Sequence, residues 1–242
     1  MELIVKDTSD DAAELVSRII AKALREDPHL VLGLATGRTM VKVYENLVVR
    51  YKEHDLDFSL CRTFNLDEYV GLPPGHPNSY RRYMNEHLFD RINIDKRNTY
   101  LPDGMAADLK AECDHYEHLI ADSGGIDIQL LGIGRAGHIG FNEPLSALMS
   151  RTREKALTPE TVRQNAPLFP DESEMPRRAL TMGVGTILES ARCLVLVTGS
   201  DKADILEKAV EGPITSMVTA SALQLHPHCT VIVDEAAAGK LT

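Results

Sequence analysis

The stretch IDIQLLGIGRAGHIGFNEP, residues 126–144, decides the fold. Its first half is an apolar run with no in–out alternation, and the reading is a strand over 126–134 buried on both faces. Its second half is a polar turn rich in glycine. GIGRAG, 132–137, fits the GxGxxG spacing of a dinucleotide loop, but that fingerprint needs a helix to begin within it. Here the chain continues HIGFNEP, with Gly140 and Pro144, so no helix is expected. The glycines then serve to bring backbone close to a ligand.

Working outward, the same unit recurs. Apolar runs at 2–5, 30–35, 61–66, 192–199 and 228–234 read as further strands. Helical spacing follows Thr8–Asp10, with Ala12, Leu15, Val16, Ile19, Ile20 and Ala23 on one face, and helices are also expected over 39–52, 80–88, 108–121 and 201–210. Buried strands separated by helix-sized segments predict an α/β fold, a doubly wound, mostly parallel, Rossmann-like sheet with helices on both faces. Residues 1–242 read as one domain. Residues 151–177, with Pro159, Pro167, Pro170 and Pro176 among charges, read as a surface excursion or lid.

In such sheets ligands bind beyond the C-terminal strand ends. Three polar motifs occupy those ends: TGRT (36–39), LDEY (66–69) and GRAGHIGFNEP (134–144). TGRT is one residue short of a P-loop and has Arg38 where that loop has lysine, yet a glycine turn opening a helix still offers free N–H groups to an anion. Asp67 and Glu68 are adjacent carboxylates, and strand alternation sends only one of them toward a pocket. His138 and Glu143 share a loop, a pairing suited to proton transfer near neutral pH. Tyr80, Tyr83 and His87 fall on one helix face and read as packing or solvated residues rather than binding ones.

Acidic residues outnumber basic ones 36 to 26, for a formal charge of −10, and no Lys/Arg cluster tracks a phosphate backbone, so nucleic acid is not the expected partner. MELIVKDTSDDAAEL lacks the basic and apolar regions of a signal peptide and no run is long enough for a membrane span, so a cytoplasmic protein without a membrane partner is expected. Cys61, Cys113, Cys193 and Cys229 form no CxxC and read as buried, reduced thiols. No HExxH-like spacing occurs, and no metal is assigned.

FNLDEYVGL (64–72), HPNSY (76–80), IQLLGIGRAGHIGFNEP (128–144), SRTR (150–153), ALTMGVGTIL (179–188) and ALQLHP (222–227) together resemble the glucosamine-6-phosphate deaminase (glucosamine-6-phosphate isomerase) family in its short bacterial form, across essentially the whole chain. The resemblance implies an enzyme that converts glucosamine 6-phosphate and water to fructose 6-phosphate and ammonium, without metal or organic cofactor, as a monomer or homo-oligomer. It implies that Asp67 moves a proton from C2 to C1, that His138 positioned by Glu143 opens the sugar ring, and that Thr36, Gly37, Arg38, Thr39, Gly137 and Lys202 bind substrate and its phosphate. The chain departs from the family pattern at Ala136, where Asp or Asn is usual; at Arg38, where glycine is usual; and at Pro167, which aligns with a phosphate-binding arginine. Related alternatives are an enzyme for another amino-sugar phosphate such as the galactosamine epimer, a non-catalytic sugar-phosphate sensor, and a 6-phosphogluconolactonase.

Overall fold

The structure is a computed structural model and describes residues 1–169 and 171–242. Among these, the strands are β1 (Glu2–Lys6), β2 (Val31–Leu34), β3 (Arg62–Asn65), β4 (Asp67–Tyr69), β5 (Thr99–Tyr100), β6 (Ile128–Leu131), β7 (Arg153–Ala156), β8 (Arg178–Thr181), β9 (Arg192–Val197) and β10 (Cys229–Asp234). The α-helices are α1 (Ser9–Glu26), α2 (Arg38–Glu53), α3 (Tyr80–His87), α4 (Leu109–Asp122), α5 (Pro159–Asn165), α6 (Val184–Leu188), α7 (Ala203–Val210) and α8 (Glu235–Ala238).

Seven strands form one sheet in the order β1-β10-β9-β6-β2-β3-β5, and every pairing in it is parallel. This is the doubly wound α/β fold expected from the apolar runs. β2 and β6 are neighbours although α2, α3 and α4 lie between them in sequence. From β2 the chain winds outward through β3 to β5, and from β6 it winds the other way through β9 to β10. The order therefore reverses between β2 and β6, and the loops leaving their C-terminal ends flank the crevice where such sheets hold ligands. All four residues of β6 are buried, as a strand covered on both faces requires. On one face Phe64 packs edge-on against Tyr116 of α4, with ring centres 5.7 Å apart. α1 starts where its cap predicts: the Thr8 hydroxyl accepts the Asp11 N–H at 3.1 Å, and Val16, Ile20 and Leu24 are buried.

The sequence predicts no element at β5, β8, α6 or α8, and the structure departs from its reading most at 151–177. The segment 151–177 is not only an excursion: it supplies β7, which pairs antiparallel with β8, and β4 joins the other side of β8. This three-stranded sheet and α5 enclose a second, smaller core of Tyr69, Phe141, Leu157, Val162, Phe169, Met175 and Ala179. Of the segment's residues, Pro170 lies outside those described. Four Cys side chains are buried and free, and Cys193 and Cys229 sit side by side in register on β9 and β10.

The loop after Glu143 is fastened to the body at Gly183, just ahead of α6. The Ser150 carbonyl accepts the Gly185 N–H at 2.9 Å, and a Cβ at Gly183 would lie 1.9 Å from that same oxygen. Backbone meets backbone, so neither side can give way cheaply. Gly183→Ala is expected to destabilise the fold by about 1–3 kcal/mol, measured by denaturant unfolding. A variant with unchanged stability would mean that the loop and α6 are not held this closely.

Candidate active site

The loop after β2, the loop after β6, the start of α7 and the junction of β3 with β4 surround one cavity of about 220 Å³. The junction explains how Asp67 reaches it. Leu66 donates its N–H to Leu34 of β2 at 3.0 Å, in register with the large sheet, while its carbonyl accepts the Met182 N–H at 2.7 Å. The chain thus leaves one sheet for the other at the residue before Asp67, and Asp67 stands opposite Thr181 of β8. Its side chain lines the cavity and is only 6% exposed. Burial, reinforced by the negative charge of Glu68, pushes its carboxyl up to about 8. Gly140, at φ +55°, passes close by; a Cβ there would lie 3.4 Å from Asp67 Oδ2.

Glu68 turns the other way, as alternation along a strand demands. It accepts the backbone N–H groups of Tyr69, Tyr80 and Arg81 at 2.8, 3.0 and 2.9 Å, and so holds the start of α3. Burial pushes its carboxyl up, and these donors and Arg81 offset only part of that rise. One carboxylate faces the cavity and its neighbour is structural.

His138 lines the cavity from the glycine loop. No helix forms through that loop, in keeping with its reading. A Cβ at Gly134 would fall 2.0 Å from His138 Nε2, so this glycine makes room for the ring. His138 Nδ1 lies 3.1 Å from Glu143 Oε2. The other Glu143 oxygen accepts the Thr161 hydroxyl and, at 3.2 Å, that of Thr158. Burial would raise the Glu143 carboxyl, but His138 and these hydroxyls outweigh it and hold the group below the ordinary range.

Thr36, Gly37, Thr39 and Lys202 line the cavity as well. Gly37 is the N-cap of α2 at φ +110°, where a side chain would be strained. Lys202 donates its Nζ to the Ile133 carbonyl at 2.8 Å. Arg38 and Gly137 do not line the cavity. Arg38 is exposed in the first turn of α2. Gly137, at φ +77°, is buried against α7 and the 218 loop: a Cβ there would lie 2.8 Å from Ile205 Cδ1 and 2.7 Å from Val218 Cγ1. Its lack of a side chain serves packing rather than a ligand. Among the described residues, no group of His, Cys, Asp and Glu is placed to hold a metal, and no helix is long and apolar enough to cross a membrane.

A family profile described as glucosamine-6-phosphate isomerases/6-phosphogluconolactonase matches residues 5–232. The chain belongs to this family. Over all 242 residues it is 50% identical to the glucosamine-6-phosphate deaminase of Shewanella woodyi, covering 92% of that protein, and equally so to that of Cellvibrio japonicus, again covering 92%. A solved structure described as a monomeric glucosamine-6-phosphate deaminase superposes with a TM-score of 0.97 at 44% identity, covering 99% of this chain and 100% of the other. The 6-phosphogluconolactonase of Trypanosoma cruzi shares the fold, with a TM-score of 0.79 at 20% identity, covering 100% of this chain and 97% of that one.

Several lining residues of this family member escape a reading of the sequence. Tyr80 was expected to pack or be solvated; its ring does stack on Phe141 at 6.2 Å, but it also lines the cavity and bonds the Tyr69 hydroxyl at 3.2 Å. Gln164 and Asn165 reach the cavity from α5, and Asn165 donates to the Tyr69 hydroxyl at 3.1 Å. The one signal for α5 is Thr158-Pro159, an N-cap followed by proline at the first helical position.

Proposed function

We propose that the chain is a cytoplasmic glucosamine-6-phosphate deaminase, with a small anionic amino sugar as its partner rather than nucleic acid or membrane. The observation that carries this reading is one cavity lined by a buried carboxylate, Asp67, by His138 with Glu143 behind it, and by Thr36, Gly37, Thr39 and Lys202. The 50% full-length identity to two glucosamine-6-phosphate deaminases supports the same substrate.

In this reading the turn and Lys202 hold the phosphate and set the sugar across the cavity. His138 Nε2 takes the proton of the anomeric hydroxyl and passes it to the ring oxygen, opening the pyranose; Glu143 keeps Nδ1 turned inward. Asp67 removes the C2 proton from the open-chain aldose while the substrate's own ammonium gives a proton to O1, so that an enol forms at C1 with a neutral amine on C2. Returned to C1, the proton leaves an imine at C2. Water adds there and ammonia departs, leaving fructose 6-phosphate. The substrate's own C1 aldehyde takes up the electrons of the broken C2–H bond, and the imine then activates C2 toward water, so the scheme calls on no metal or organic cofactor. α5 acts as the lid over these steps.

The test is equal release of ammonia and fructose 6-phosphate from glucosamine 6-phosphate, with galactosamine 6-phosphate and 6-phosphogluconolactone as comparators. No ammonia from the first, or faster turnover of a comparator, overturns the assignment. Ala136 offers a sharper check. Its methyl group can neither donate nor accept beside the ring-opening histidine. Ala136→Asp or Ala136→Asn is expected to raise turnover severalfold on the scale of one added hydrogen bond, about 1 kcal/mol. Normal substrate binding with no gain in rate in either variant counts against that role for position 136.

A further inference from the structure

The phosphate end of the cavity holds more positive charge than its lining residues disclose. Lys202 is the one cation among those lining residues. Arg38 sits between the lining residues Gly37 and Thr39, and Arg135 directly follows the lining residue Gly134. Arg135 faces Asp201, the residue before Lys202, across 3.5 Å, with the two side chains 53% and 56% exposed. Such a pair is held weakly in water. The Lys202 ammonium lies below its ordinary range, through burial first; Asp201 acts against this, and the charges of Arg135 and Arg38 add smaller downward pushes. A chain of net charge −10 thus has Lys202 in the pocket wall and two arginines next in sequence to lining residues, one of them facing the carboxylate of Asp201.

We propose that Arg135 is a phosphate-binding residue that exchanges Asp201 for the ligand's phosphate and, with Arg38, completes the grip begun by Lys202. A phosphate dianion offers a guanidinium a stronger, bidentate partner than an exposed carboxylate 3.5 Å away. The exchange also relieves the repulsion among the three cations. Asp201 then acts as a gate on affinity, because it competes for Arg135 in the empty protein. The inference rests on the deaminase reading for the identity of the ligand, but its content concerns the phosphate group alone.

Calorimetric titration of the full chain with inorganic phosphate and with fructose 6-phosphate, at constant ionic strength and with unphosphorylated fructose as control, tests it. Arg135→Gln is expected to weaken both phosphate ligands about tenfold or more, the scale of a charge-assisted hydrogen bond. Asp201→Asn is expected to tighten them, and that gain should shrink in the Arg135→Gln background. Affinities within twofold of the parent in Arg135→Gln, or an Asp201→Asn gain of equal size in both backgrounds, overturn the proposal. Ammonia release is scored separately: a parent that binds phosphate through Arg135 yet deaminates nothing would sink the functional reading and leave this one standing.

Discussion

Asp67→Asn is expected to lose about 10²–10⁴-fold in turnover, the range of a general base, while keeping the fold and the ability to bind fructose 6-phosphate. The substitution preserves shape and removes the group proposed to carry the proton from C2 to C1. Two pH measurements accompany it. Only the ionised carboxylate can accept that proton, and burial pushes the carboxyl up to about 8. The parent's kcat/KM, which reports the free enzyme, should therefore climb with pH until about 8 and then level. Stability runs the opposite way. A carboxyl raised on folding contributes stability that is fully present below its ordinary range and is lost as pH rises through the raised value. Asp67→Asn, which cannot ionise, should thus melt above the parent at pH 9, and the gap should close toward pH 4. Near-parental turnover in Asp67→Asn would sink the assignment. A melting difference independent of pH would show that the buried carboxyl is not the group that titrates.

Glu143→Gln carries the second large effect. Glutamine can fill the same space, but it brings no charge, and its amide must share one acceptor oxygen among His138, Thr158 and Thr161. A loss of about 10²-fold or more in kcat/KM on the cyclic substrate is expected, at the lower end for an acid–base group. Stability should fall as well: the Glu143 carboxyl lies below its ordinary range, so it contributes stability above that range that is lost on acidification through the lowered value. Unchanged kinetics with lowered stability would make Glu143 a structural residue only.

Most of the large sheet was legible because strands such as β6, β9 and β10 are buried apolar runs; the edge strand β5, only Thr99–Tyr100, carries no such signal. The small sheet was not. β7 is the charged run Arg153–Ala156 and its residues alternate between half-buried and exposed, so no apolar signal marks it. β4 is three residues long and follows β3 after a single leucine, which made the two read as one strand with a polar tail. At the site, Asp67 and His138 were legible because a carboxylate and a histidine at strand ends have a chemical reason to be there. Glycines are less informative. Gly37 and Gly137 both adopt positive φ, yet one lines the cavity and the other packs under a helix. Contacts made by α5 were beyond reach, since the hydroxyls of Thr158 and Thr161 meet Glu143 only through tertiary structure.

Those two hydroxyls tie the cover to the chemistry. The helix that carries Gln164 and Asn165 over the cavity also grips Glu143 at its first turn. Any movement that lifts α5 removes donors from the carboxylate that steadies His138. An open-chain amino sugar is a free aldehyde, able to condense with stray amines in the cell. Here the aldehyde would be released from its ring only beneath the helix, and a vacated or half-open pocket would leave the sugar in its inert cyclic form. The arrangement would make the protein a containment vessel for a reactive carbonyl as well as a catalyst.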